Sequence, residues 1–242
     1  VDCVKIEAQS HIYDYNFFYS RNVSSEVLDI VTTKFIEYAN NVHIAFLWPI
    51  ENQLSVNIEE LIPNIVYKKK IQLDLNGAHN LLSQIYYKEE WLGDVKNNFR
   101  GSQGKLVECF KNFNAFDVIA FQADSLDKVL KIKDDIREVF NVGKHSIHIT
   151  DTKEEAVRSA RIVFNNNSLH FLNYAKPNRY ISTHNKIDIF KIFLAKNNID
   201  VNDVSLCGNT LLSAYGLIDG ADIDYLTVDD KLKHNDKGLQ YY

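Results

Sequence analysis

The sequence predicts an α/β protein: an N-terminal mixed or parallel sheet with helices, followed by a partial, smaller α/β module. Two observations carry this. VHIAFLW (42–48) and DVIAFQA (117–123) are short, nearly all-apolar runs of strand length, as strands buried on both faces would be. Around them stand segments whose apolar residues recur three and four apart, the period of an amphipathic helix. Strand, helix, strand, helix in succession argues for a sheet that is parallel where its connections cross over.

The elements follow in order. Residues 24–40 read as a helix, with serines at the start and Val27, Val31 and Phe35 at four-residue spacing. The strand at 42–48 stops at Pro49. Residues 50–64 lack a period, although NIEELI (57–62) reads as a helical turn. Residues 70–75 alternate, and Asn76-Gly77 turns into a helix carrying Ala78, Leu81, Leu82 and Ile85, with Tyr86, Tyr87 and Trp91 making it rich in aromatics. After the strand at 117–123 comes a helix at 125–140 with Val129, Ile132, Ile136 and Phe140 on one side, and Gly143 is placed to cap it. HSIHIT (145–150) alternates as a strand. Thr152 and Glu155 have capping-box spacing and open a helix that buries Ala156, Ala160, Val163 and Phe164. SLHFLN (168–173) reads as one more strand.

A boundary is expected in NYAKPNRYIS, around Pro177, dividing the chain into an α/β domain at 1–175 and a module at 180–242. The module reads as a helix at 185–197, a short strand at 204–207, a helix at 209–215 and a strand at 222–228.

Composition narrows the function. Hydrophobic content of 45%, charged content of 24% and a net charge of −5 are those of an ordinary globular protein, and they argue against an extended nucleic-acid interface. Lys68, Lys69 and Lys70 form a local basic run that can meet a phosphate or simply face solvent. Three scattered cysteines make neither a disulfide framework nor a zinc motif, and no apolar run approaches the roughly 18 residues of a membrane span. A reduced, cytoplasmic setting is therefore expected. The chain contains no methionine, even at its start, which suggests processing or truncation.

The chemistry is concentrated in CGNTLLSAYGLIDGADIDYLTV (207–228). Asp222 and Asp224, at i and i+2 of a strand, project from one face and can share a divalent ion. Gly208 lets backbone approach a phosphate, and the helix after it aims N–H groups at an anion. The bland alternative is a strand edge whose aspartates only decorate a surface. Strand, Gly208, short helix and Asp222-Ile223-Asp224 resemble the signature of the nucleotidyltransferase superfamily that includes polymerase-β-like enzymes. The resemblance covers about residues 185–230, with Asn209 standing where the family has a small residue. It implies Mg²⁺ as cofactor, Asp222 and Asp224 as catalytic metal ligands, Gly208, Asn209 and Thr210 at the phosphate, and a nucleoside triphosphate and a small acceptor as partners. It also implies a third carboxylate on a later strand. Asp229 and Asp230 follow the strand too directly to serve, so the module is expected to be incomplete.

Two other segments carry weaker signals. GKHSIHITDTKEEA (143–156) gathers Lys144, His145 and His148 at a strand end, where open α/β sheets bind ligands. His148 shares its face with Ser146 and Thr150, and reads either as a general base or as part of a polar strand face. NNFRGSQGK (97–105) lacks Walker A spacing and reads as an anion-binding loop or a plain turn. The leading function is Mg²⁺-dependent nucleotidyl transfer. The alternatives are a sugar-handling transferase or accessory protein of bacterial surface polysaccharide synthesis, with a non-catalytic C-terminal module, and a structural or interaction protein.

Overall fold

The structure, a computed structural model, describes residues 25–50, 58–232 and 239–241. Cys3, the helix-start residue Ser24 and part of the aperiodic stretch, 51–57, lie outside the described residues. The chain divides into two units: one takes the residues up to Lys88 together with Gly101–Asn173, the other Glu89–Arg100 and Tyr174–Tyr242.

The first unit is built on β1 (Val42–Leu47), β2 (Ile65–Ile71), β3 (Phe116–Gln122) and β4 (Ile147–Ile149), in the spatial order β2-β3-β1-β4. The fold is α/β as predicted, but every pairing in this sheet is antiparallel, not parallel. The reason lies in where β1 sits. Helix α4 (Leu126–Phe140) carries the chain from β3 to β4, and both strands run the same way, yet β1 is inserted between them and pairs with each. A strand–helix–strand connection fixes the relative direction of its two strands without making them neighbours; this is a split βαβ unit.

Burial follows the apolar runs. Ile44, Ala45 and Phe46 of β1 and Val118 to Phe121 of β3 are wholly buried, so both faces of the central strands are covered. Helix α1 (Ser25–Tyr38) packs on α5 (Lys153–Val163), which also lies on β1, while α4 packs on β4. Helix α2 (Leu75–Ile85) begins at Asp74, whose side chain accepts the Gly77 N–H at 2.7 Å. Asn141, in left-handed conformation at φ 51°, caps α4 by donating to the Arg137 carbonyl; Gly143, expected as the cap, comes two residues too late.

Two further expectations change. SLHFLN is not a strand but part of helix α6 (Asn166–Tyr174). The Asn165 side chain accepts from the N–H groups of Asn167 and Ser168 at 2.9 and 3.2 Å and so starts a helix, whereas a run of six residues is too short to fix a period. NNFRGSQGK is not an anion-binding loop either. Residues Val95–Asn97 form a 3₁₀ turn, and both glycines lie inside helix α3 (Arg100–Cys109). The lysine run on β2 is internally paired: Lys68 with Glu59, Lys69 with Asp29 at 2.5 Å, and Lys70 with Asp117 at 3.1 Å.

The second unit holds α7 (Ile181–Lys196), β5 (Val204–Leu206), α8 (Gly208–Ala214), β6 (Ile223–Thr227) and β7 (Leu239–Tyr241), with the sheet ordered β5-β6-β7. β6 is antiparallel to β5 and parallel to β7. Its core is small: Phe190, Leu194, Ile199, Ile223, Tyr225 and Leu232. Phe190 packs on the Tyr225 ring at 5.2 Å, and the Tyr225 hydroxyl donates to the Leu232 carbonyl at 2.8 Å. Among the described residues, no helix is long and apolar enough to cross a membrane.

Asp29 is the buried polar anchor of the first unit, taking the Tyr67 hydroxyl at 3.0 Å as well as the Lys69 ammonium. Asp29→Ala removes the counter-charge of the Lys69 ammonium, which keeps only the Asn166 amide oxygen at 3.0 Å, and is expected to lower unfolding stability by about 3 kcal/mol, whereas Tyr67→Phe loses about 1 kcal/mol. Urea denaturation of the full chain checks both, with the midpoint of Asp29→Ala falling further.

Candidate functional site

The C-terminal constellation assembles around the start of α8. Cys207 occupies the N-cap position, and its side chain makes no capping bond. The cap comes instead from 15 residues downstream in the chain. Asp224 Oδ2 accepts the N–H of Asn209 at 2.5 Å and that of Thr210 at 3.3 Å. A carboxylate at a helix start meets both unsatisfied N–H groups and the positive end of the dipole. Gly208 makes the approach possible: its φ is +47°, and a Cβ there would stand 2.7 Å from Asp224 Oδ2.

Asp224 is fully buried. Its backbone is held on both sides, with the carbonyl accepting from Cys207 N–H at 3.0 Å and the N–H donating to Thr210 Oγ1 at 2.6 Å. One side-chain atom is left over. Oδ1 is buried and has no hydrogen-bond partner among the described residues. Asp222 is half-buried and lies just before β6, and its carbonyl takes a longer bond from Thr210 Oγ1 at 3.4 Å.

The site residues named from sequence therefore divide. Asp222, Asp224, Gly208, Asn209 and Thr210 do come together, but not as a ready phosphate cradle. The N–H groups of Asn209 and Thr210 are taken by Asp224 Oδ2, and Thr210 is buried with its hydroxyl bonded to backbone. Only Gly208 and the Asn209 side chain are exposed there. Burial, and after it the negative charge of Asp224, pushes the Cys207 thiol above its ordinary value. The described residues contain no group of three or more His, Cys, Asp or Glu able to hold a metal. Strand β7, which the sequence reading did not contain, sets Gln240 beside Asp224 in register, a neutral amide on the neighbouring strand.

Sequence reasoning missed the groups that hold the loop leading to Asp222. Gly220 N–H donates to Ser213 Oγ at 2.8 Å, and the Lys186 ammonium donates to the Gly220 carbonyl. Ser182, one turn before Lys186 on α7, donates to Asp219. The spacing of Ser182 and Lys186 places them on one face of α7, but nothing local announces their partners.

In the first unit, His145 and His148 belong to different ion pairs. His148 Nε2 donates to Glu155 Oε1 at 2.9 Å, and Glu155 Oε2 takes the Asp151 N–H at 2.9 Å. Burial pushes the Glu155 carboxyl up, but the His148 bond and charge, the Asp151 N–H and Lys133 outweigh it and hold the group below its ordinary value. His145 Nδ1 lies 3.0 Å from Glu108 Oε2 and 3.2 Å from Lys105 Nζ. Burial first, then the Lys105 charge, lowers its pKa against the pull of Glu108. Lys144 is exposed in the 3₁₀ turn that precedes β4. Ser146 and Thr150, the expected companions of His148, are buried and committed to backbone. Cys109 is buried, and burial pushes its thiol up to about 11.

No protein-family model, no curated protein and no solved structure matches the chain.

Two outcomes are expected. Gly208→Ala combines a left-handed backbone, which disfavours a Cβ by roughly 1–2 kcal/mol, with a clash on the Asp224 carboxylate. It should lower the thermal midpoint clearly, whereas Asn209→Ala, on an exposed side chain, should leave it nearly unchanged. Because the folded Glu155 carboxyl sits below 4.5, its bond to His148 contributes fully above pH 4.5 and is lost as pH falls through the lowered folded value. Stability measured from pH 6 downward should decline less steeply in Glu155→Gln than in the wild type.

Proposed function

We propose that the second unit is a Mg²⁺-dependent nucleotidyl-transfer site, acting on a nucleoside triphosphate and a small acceptor, with Asp222 and Asp224 as the metal ligands. The observation that carries this reading is Asp224 Oδ1, a buried carboxylate oxygen without a hydrogen-bond partner among the described residues, two positions after a half-buried aspartate in the chain. Desolvating an ionised oxygen is costly unless a cation or donor meets it. Two carboxylates suit Mg²⁺, which completes its coordination with substrate phosphate oxygens and water instead of an all-protein cage. When bound, the ion polarises the phosphoryl group and draws the acceptor hydroxyl into line.

This chain's own residues do the rest. Asp224 is fixed by the α8 N-terminus and the Thr210 hydroxyl, so one oxygen is held back as a ligand while the other caps the helix. Asp222, on the loop end that Lys186 and Ser213 restrain, supplies the second ligand. With the Asn209 and Thr210 N–H groups occupied by Asp224, the exposed Asn209 side-chain amide is the donor that this end of α8 would offer a phosphate. A reducing, cytoplasmic location accords with free Cys109 and Cys207.

Binding of ATP, GTP, CTP and UTP to the full chain, titrated with and without Mg²⁺, tests the reading. At least one nucleotide should bind more tightly with Mg²⁺, and Asp222→Asn, which leaves the helix cap untouched, should remove that gain. Equal binding with and without Mg²⁺, or a gain that survives both Asp222→Asn and Asp224→Asn, overturns it.

A further inference from the structure

Thr210 stands where a phosphate contact was expected, and its surroundings give it different work. The side chain is buried, and its single hydroxyl is engaged twice in opposite senses. Its oxygen accepts the Asp224 N–H at 2.6 Å, and its proton goes toward the Asp222 carbonyl at 3.4 Å. The first of these is a short, buried bond made where β5 has already ended at Leu206, so the hydroxyl serves the Asp224 N–H in place of a neighbouring strand. Its own N–H bonds Asp224 Oδ2 as well. Thr210 thus touches the backbone of one aspartate and both backbone and side chain of the other.

We infer that Thr210 is a positioning residue that sets Asp222 and Asp224 relative to each other for a divalent cation. The inference rests on the metal-binding reading above. The two aspartates are separated by one residue at the entry of a strand, where Asp222 is still outside the ladder. Without the hydroxyl, Asp224 keeps its cap to α8 through Oδ2, but its N–H is buried without a partner and nothing from α8 reaches the Asp222 carbonyl. The backbone of Asp222 and that of Asp224 then lose the anchor they share. A hydroxyl is required and a methyl is not, so serine suffices while valine, its near-isostere, does not.

The probe is Mn²⁺ alone, titrated into the full chain and followed by the electron paramagnetic resonance of the free ion. Wild type and Thr210→Ser are expected to bind alike. Thr210→Val, shown to be folded by circular dichroism, is expected to bind at least about tenfold more weakly, the loss typical when a group that orients a metal ligand is removed. If Thr210→Val does not fold, Thr210→Ala, which leaves room for water at the hydroxyl position, is read by the same criterion. Wild-type affinity in a folded Val or Ala variant, or loss in Thr210→Ser, overturns the inference while leaving the metal site intact. Failure of the wild type to bind Mn²⁺, with Asp224→Asn indistinguishable from it, overturns the metal reading and the inference together.

Discussion

The carboxylate of Asp224 is where the demands of the second unit meet. A seven-residue helix begins with Gly-Asn-Thr after a cysteine that makes no cap, so its first N–H groups need an acceptor from elsewhere in the chain. Asp224 provides it from inside the sheet. That choice forces a glycine at 208, places Thr210 against the strand and buries a carboxyl group completely. Helix, strand and loop are consequently locked by one side chain, and a fault in any of the three displaces the others. The same choice leaves one carboxylate oxygen over, and the metal proposal grows from that remainder.

The first unit solves a comparable problem with buried charge in its flanks. Asp29 on α1 reaches Tyr67 and Lys69 on β2, Lys133 on α4 meets Asp151 after β4 at 2.5 Å, and Glu155 ties α5 to His148 on β4. Each link joins a helix to the sheet or to its margin. Against the continuous apolar core of the central strands, such pairs add little net stability but penalise any other registration of helix on sheet. Polar residues that looked like candidate chemistry are in this way absorbed by architecture.

Much of the fold was legible because apolar runs and helical periods are local. The strands at 42–48 and 117–123, the helices at 125–140 and after Thr152, and the α/β class all follow from them, whereas Asp74, read as part of an alternating strand at 70–75, is the N-cap of α2, and β2 ends at Ile71. Strand order was not legible: the insertion of β1 between β3 and β4 is a long-range pairing that no local pattern records. SLHFLN failed for want of length, and its decisive signal, Asn165, lay just outside the run. At the site, the cluster of Gly208, Asn209, Thr210, Asp222 and Asp224 was legible from spacing, but its internal bonding was not. A cap delivered by Asp224 and a hydroxyl turned to the strand both depend on tertiary contact, and they reverse the expectation that the α8 N–H groups await a phosphate.

The central claim is that Asp224 Oδ1 is a ligand position for a divalent ion. Its most direct measurement is anomalous diffraction from crystals grown with Mn²⁺ and a non-hydrolysable nucleoside triphosphate analogue. The account predicts a Mn²⁺ peak at roughly 2.1–2.3 Å from Asp224 Oδ1, with an Asp222 oxygen in the same coordination shell. A water or a protein donor on Oδ1, with no anomalous density between the two aspartates, would contradict it.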